Sequence, residues 1–209
     1  MKLANIIVIG GPISAGKSSL TKKLPWPKVM ELDHKDEILM LLWSATYKKD
    51  RVAPEVIEYY FLQLRKKRYE TFASQDQLSI FDRSIFESII FARKNLTPQS
   101  FKHFYKLWLS ETKELIKKYG KPKLYILLEI NWKTFQQRFF ARGHKVETKY
   151  FDENKKFFKS HVEEYMQLMK NILKKFKIDF KIINTNNLVL EQVVDFVTKE
   201  INEGLKQWV

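Results

Sequence analysis

The chain has 209 residues, no cysteine and a formal net charge of +14 at pH 7. Its length suits one domain with a sizeable core, and the missing cysteines exclude a disulfide framework and a thiolate metal site. The four histidines (34, 103, 144, 161) offer no pair at metal-ligand spacing, which argues against structural zinc.

No apolar stretch is as long as a membrane span, and the first ten residues have the character of a core strand rather than a signal peptide. A cytoplasmic protein with no membrane partner is therefore expected. The basic balance could signal a nucleic-acid binder. However, the Lys-Lys pairs at 22–23, 48–49, 66–67, 117–118, 155–156 and 174–175 are spread along the chain, mostly where helices face water. No nucleic-acid partner is expected, although the excess charge can draw in an anionic nucleotide.

In chain order, Ile6-Ile7-Val8-Ile9 is a β-branched run of the kind buried on both faces of a parallel sheet. It leads into Gly11-Pro12-Ile13-Ser14-Ala15-Gly16-Lys17-Ser18, which fits G-x-x-x-x-G-K-[ST]. Backbone amides of such a loop cradle a polyphosphate, Lys17 reaches its outer phosphates and the Ser18 hydroxyl can ligate magnesium. Residues 18–24, starting Ser18-Ser19, continue as a helix. Five short apolar runs at 4–10, 28–31, 78–82, 123–130 and 179–184 look like strands separated by helices. That alternation predicts a three-layer α/β fold with a five-stranded parallel sheet.

The remaining predicted helices are 53–75, 85–93, 98–119, 131–141, 148–176 and 188–205. Thr97-Pro98 opens the fourth helix of the chain and Gly120 closes it, whereas Asn131 and Gly143 bound the next. The apolar positions of 148–176 are core or dimer contacts, and together with the Phe101–Trp108 face they supply surface for a homodimer.

Two further constellations carry chemistry. The third strand ends in Asp82-Arg83-Ser84, which places an acid and a fixed cation beside the phosphate loop. Asp82 can hold magnesium or take a proton there, and Arg83 can meet a transferring phosphoryl group. Arg138 and Arg142 share one helix face, and Gly143 then releases the chain into a loop containing Glu147. Paired arginines on a hinged segment can close over a triphosphate and neutralise developing charge.

These motifs, from Gly10-Gly11 through Lys17-Ser18-Ser19, Phe81-Asp82-Arg83-Ser84-Ile85-Phe86-Glu87 and Arg138-x3-Arg142-Gly143, resemble the deoxynucleoside kinases. The resemblance runs over most of the chain. It implies one kinase domain over 1–209 with an arginine-bearing lid near 138–150, and transfer of phosphate from ATP with Mg2+ to the 5′-hydroxyl of a deoxynucleoside. It also implies roles for individual residues. Glu31 binds the 5′-hydroxyl and serves as a general base. Asp82 is a second candidate base and magnesium ligand, and Arg83 steers Glu31 and the phosphoryl group. Tyr47 and Glu147 hold the sugar 3′-hydroxyl, Arg138 and Arg142 act from the lid, and Asn184-Thr185-Asn186 meet the donor adenine.

The chain departs from the family pattern in several places. Glu31-Leu32-Asp33 stands where Glu-Pro is usual, so Asp33 and Asp36 compete as bases. Glu58 falls where a glutamine reads the base, with Gln63 the alternative reader. Ser88 replaces an aspartate that often contacts the base, and His144 replaces a third lid arginine. A carboxylate accepts but cannot donate hydrogen bonds, which suits a base edge rich in N–H and favours a purine. The runner-up function is a nucleoside monophosphate kinase; a nucleic-acid-binding NTPase is the alternative from another class.

Overall fold

The computed structural model describes residues 2–32, 36–48, 50 and 52–207. Its strands are β1 (Leu3–Gly10), β2 (Lys28–Val29), β3 (Ser79–Asp82), β4 (Lys121–Glu129) and β5 (Phe180–Asn184), all parallel in the order β2-β3-β1-β4-β5. β1 is central because Ile6, Ile7, Val8 and Ile9 have no polar face to show to water; all four are fully buried. Ile6 and Val8 point into one apolar cluster, and Ile7 and Ile9 into the other, as the two-residue period of a strand requires.

The helices are α1 (Lys17–Lys23), α2 (Glu37–Tyr47), α3 (Ala53–Ala73), α4 (Ser88–Asn95), α5 (Pro98–Tyr119), α6 (Trp132–Arg142), α7 (Lys145–Lys149), α8 (Phe151–Lys175) and α9 (Leu190–Gln207). Residues of α3, α4 and α5 cover one sheet face, and residues of α1, α6 and α9 the other. α8 serves both clusters, Phe151, Phe158 and Val162 one and Tyr165, Met169 and Leu173 the other. No described helix is long and apolar enough to cross a membrane.

The expected caps form. The Thr97 hydroxyl accepts from Ser100 N at 3.2 Å with Pro98 in the first turn of α5, and Asn131 Oδ1 accepts from Thr134 N at 2.8 Å. Two features depart from expectation. The 148–176 helix starts earlier and is broken at Tyr150 into α7 and α8. α2 was not foreseen, because Ile38-Leu39-Met40-Leu41-Leu42-Trp43 has no polar stripe to set a helical period. Asp36 starts it, accepting from Leu39 N at 3.0 Å.

The apolar positions expected to serve a second subunit are largely spent within the chain's own core: Phe104, Trp108, Phe158, Tyr165 and Leu173 are buried in it. Trp108 also donates its indole N–H to Ile85 O at 2.9 Å and meets Phe176 edge-on. Replacing it by alanine removes this packing and leaves Ile85 O with only the Ser88 N–H as donor, so Trp108→Ala should lower the unfolding free energy by about 3–5 kcal/mol. An unchanged urea midpoint would contradict that.

Candidate active site

The phosphate loop, Glu31 and Arg83 follow the carboxyl ends of β1, β2 and β3, where parallel sheets open a crevice, and α2 and α3 close its side. The loop after β1 winds tightly into α1. Gly16 is left-handed (φ 93°), and a Cβ on Gly11 would lie 2.8 Å from the Leu128 carbonyl oxygen. Both positions need glycine. Lys17 is buried, and its Nζ donates to Pro12 O at 2.8 Å. Burial, reinforced by Arg83, pushes its ammonium down to about 7.

Ser18 Oγ donates to Asp82 Oδ2 at 2.5 Å, while Asp82 Oδ1 is buried with no partner. Desolvation raises the Asp82 carboxyl above its ordinary range. A hydroxyl beside an unpartnered carboxylate oxygen fits a hard divalent cation, and Ser18 and Asp82 are the residues that would hold Mg2+ here. Among the described residues there is no cluster of three or more His, Asp or Glu that would hold a metal by itself.

Beside this loop lies a cavity of about 570 Å³ lined by residues 14–20, Arg138, Arg142 and Thr185. Arg138 is pinned there, donating from Nη1 to Ala15 O at 3.2 Å and to Thr185 Oγ1 at 3.0 Å. Of Asn184, Thr185 and Asn186 only Thr185 lines this cavity, together with Leu188 further along the same loop. Asn184 Oδ1 instead accepts from Asn186 N at 3.1 Å, and Asn186 Oδ1 accepts from Asn131 N at 2.8 Å, so these two tie loops together.

A second cavity, of about 430 Å³, meets the first at Ser14, Lys17 and Ser18 and is lined further by Glu31, Tyr47, Glu58, Arg65, Arg83 and Glu147. Glu31 stands just beyond β2, paired through one oxygen with Arg65, and its other oxygen is 2.9 Å from Arg83 Nε. Burial alone would raise its carboxyl, but Arg83, Arg65 and Lys17 outweigh that and hold it below the ordinary range. Arg83 itself is left-handed (φ 64°), with its amide on Ile9 O at 3.1 Å, and this turns its side chain off the strand end.

The other expected acceptor residues sort clearly. Tyr47 donates to Glu147 Oε1 at 2.9 Å, and Arg142 pairs with Glu147 Oε2. Glu58 faces the cavity, whereas Gln63 is exposed on α3. Ser88 is fully buried behind Arg65, whose Nη1 donates to its hydroxyl at 2.8 Å, and it does not line the wall. Asp36 is committed to capping α2 and to the Tyr60 hydroxyl at 2.5 Å. Asp33 lies outside the described residues.

Sequence reasoning missed the support behind these groups. Glu87, fully buried, accepts from Arg83 Nη1 at 2.7 Å, from Ser84 N at 3.2 Å, from Tyr125 at 3.1 Å and from the Tyr165 hydroxyl. Tyr165 in turn accepts from Gly11 N at 2.8 Å. The phosphate loop and Arg83 are thus bridged through one tyrosine and one carboxylate. Ser84-x-x-Glu87 is a capping-box spacing, so the sequence carried a signal for Glu87. Tyr165 showed only as one apolar position of a helix. Tyr165→Phe leaves the buried Gly11 N–H without a partner. It should cost about 1–3 kcal/mol in urea unfolding and raise the KM for the triphosphate, and wild-type values for both would refute the bridge.

The chain is similar to known proteins over its whole length. The deoxynucleoside kinase family model matches residues 7–203. An uncharacterized protein of Mycoplasma pneumoniae is 38% identical, with 98% of this chain and 91% of that protein covered. A deoxyguanosine kinase of Lactobacillus acidophilus is 28% identical over 97% of this chain and 95% of its own. The structure of deoxyadenosine kinase from M. mycoides with bound dATP superposes with a TM-score of 0.69 at 18% identity, covering 94% of this chain and 98% of that one. The two parallel-sheet folds agree, and the chain belongs to the deoxynucleoside kinase family.

Proposed function

We propose that this phosphotransferase uses ATP and Mg2+ to phosphorylate the 5′-hydroxyl of a deoxynucleoside, with a purine favoured. The observation that carries the reading is the Glu31–Arg83 contact at 2.9 Å, on the wall of the acceptor cavity that opens onto the phosphate loop at Lys17. A primary alcohol is a poor nucleophile, and a carboxylate held ionised beside it can take its proton as the phosphorus–oxygen bond forms. Arg83 then faces the charge that develops on the transferring group. Asp82, a neighbouring carboxylate engaged by Ser18, is assigned with Ser18 to the magnesium rather than to the proton.

In the same proposal Lys17, the loop amides of residues 11–19, Arg138 and Thr185 hold the triphosphate. Arg142 joins it from a lid spanning about 138–150. Tyr47 and Glu147 hold the sugar 3′-hydroxyl, which a 2.9 Å hydrogen bond between them already preorganises. Glu58 meets the base, with Arg65 and Ser88 behind it. Assembly as a homodimer and a cytoplasmic location belong to the proposal through the family resemblance; a monomeric mass of 25.1 kDa in light scattering would remove the first.

A monophosphate acceptor would need cations free to meet its phosphate. Beyond Lys17, Arg83 and Arg142, which this proposal gives to the triphosphate and the transferring group, the acceptor cavity offers Arg65, committed to Glu31, and Lys94, committed to Glu164. Supplied with ATP, Mg2+ and mixed acceptors, the enzyme should phosphorylate deoxynucleosides and leave deoxynucleoside monophosphates untouched. Lys17→Ala and Arg83→Ala should each lower turnover at least about 100-fold in protein that stays folded. Preferential use of monophosphates, or hydrolysis stimulated by DNA or RNA, would overturn the reading.

A further inference from the structure

Arg142 borders both cavities, the one beside the phosphate loop and the one beside Glu31. Ser14, Lys17 and Ser18 do so as well, but they belong to the loop where the cavities meet, whereas Arg142 reaches in from α6. Its side chain is 42% exposed, and it pairs with a Glu147 side chain that is only 2% exposed. A mobile cation is thus bound to a fixed, buried anion.

The segment that carries this pair has two halves. α6 belongs to the donor side: Arg138, one turn before Arg142, is bonded to Ala15 O, Thr185 Oγ1 and Thr185 O. α7 belongs to the acceptor side: the His144 ring lies 4.4 Å from that of Trp43 on α2, and Tyr47 of α2 donates to Glu147 Oε1 at 2.9 Å. Asn154 of α8 holds this side in place, donating to Tyr47 O at 3.2 Å and to Tyr150 O at 2.8 Å. Gly143, left-handed at φ 62°, separates the halves, and the pairing of Arg142 with Glu147 Oε2 crosses that joint.

Resting on the kinase reading above, we propose that Arg142 makes the demand for a sugar 3′-hydroxyl depend on the phosphate donor. In the arrangement seen, Arg142 and Tyr47 both serve Glu147, and a sugar hydroxyl adds little to a carboxylate so supplied. A triphosphate beside the loop offers several anionic oxygens and competes for the Arg142 guanidinium. Once drawn to it, Arg142 leaves Glu147 with Tyr47 alone, and a buried carboxylate that loses its cation is strongly disfavoured. The 3′-hydroxyl of a deoxynucleoside then donates to the freed Oε2. A sugar with only hydrogen at C3′ cannot.

Arg138 cannot take this part, because its three bonds fix it and it borders the donor cavity but not the acceptor cavity. Arg142 is therefore a positioning residue that acts through Glu147. Donor and nucleoside binding become coupled, with positive sign, and the coupling is carried by one hydroxyl group of the substrate.

The test is the Kd of the deoxynucleoside that wild type phosphorylates best and of its 2′,3′-dideoxy counterpart. Each is measured with Mg2+, in the presence and absence of an ATP analogue whose β,γ-bridge is nitrogen and which transfers no phosphate. The analogue should tighten the deoxynucleoside about tenfold and change the dideoxynucleoside by less than about twofold. Arg142→Met frees Glu147 permanently. It should favour the deoxynucleoside over its dideoxy counterpart with or without the analogue, and show no tightening. Arg142→Lys keeps a cation that both anions can claim, so it should restore part of the coupling.

An equal gain for both sugars, no gain for either, or a gain that survives in Arg142→Met overturns the proposal. Should Arg142→Met fail to fold, the comparison of the two sugars on wild type decides alone. If wild type phosphorylates no deoxynucleoside, the kinase reading falls and takes this proposal with it. Phosphorylation without a coupling that depends on the 3′-hydroxyl removes only the proposal.

Discussion

A buried arginine between one buried carboxylate, Glu87, and one partly exposed carboxylate, Glu31, organises this protein. Arg83 contacts Glu31 on one side and Glu87 on the other, at 2.9 and 2.7 Å; Arg83 and Glu87 have almost no exposure, while Glu31 borders the cavity. Any one of these charges would be strongly disfavoured alone in the interior, and removing one partner of such a set typically costs about 3–5 kcal/mol. The three must therefore be held together by rigid elements. The end of β3 sends Arg83 inward through a left-handed backbone, the capping box holds Glu87, and Arg65 of α3 reaches the far oxygen of Glu31.

The same arrangement sets the electrostatics of the crevice. The Glu31 carboxyl is held below its ordinary range, because the cations around it outweigh its partial desolvation. Lys17 is driven the other way, towards neutrality, because burial and the charge of Arg83 both disfavour its proton. Its Nζ has the Pro12 carbonyl as a partner, and in the proposed reading a polyphosphate would add an anion to it. The Tyr165 hydroxyl joins the two halves, accepting from Gly11 N–H on the loop and donating a hydrogen bond to the Glu87 that clamps Arg83. One chain of hydrogen bonds thus links the Gly11 loop to the Arg83–Glu31 pair.

Much of this was legible in the sequence where the chemistry lies in consecutive residues. Gly11 to Ser18 must be contiguous to wrap a phosphate, and Asp82-Arg83-Ser84 must follow a strand to reach the same crevice. The order of strands and helices likewise followed from apolar runs and from caps at Thr97 and Asn131. What escaped was set by distance along the chain. The Gly11–Tyr165 contact spans 154 residues and the Tyr165–Glu87 contact 78, and no local pattern distinguishes Tyr165 from its apolar neighbours. α2 escaped because it is apolar on most sides and sits at the rim of the crevice, so its burial follows the neighbours and not a 3.6-residue stripe. Glu58 was visible as a carboxylate out of place, but its burial could be seen only in three dimensions.

The dependence of Glu31 on Arg83 can be measured in the pH profile of single-turnover phosphoryl transfer for wild type and Arg83→Lys. A lysine keeps the charge but cannot span both carboxylates. The acid limb of the profile should therefore move to higher pH as Glu31 loses part of the support that keeps it ionised. A slower reaction whose acid limb stays where the wild-type limb lies would contradict this, and would show that the proton acceptor is held by something other than Arg83.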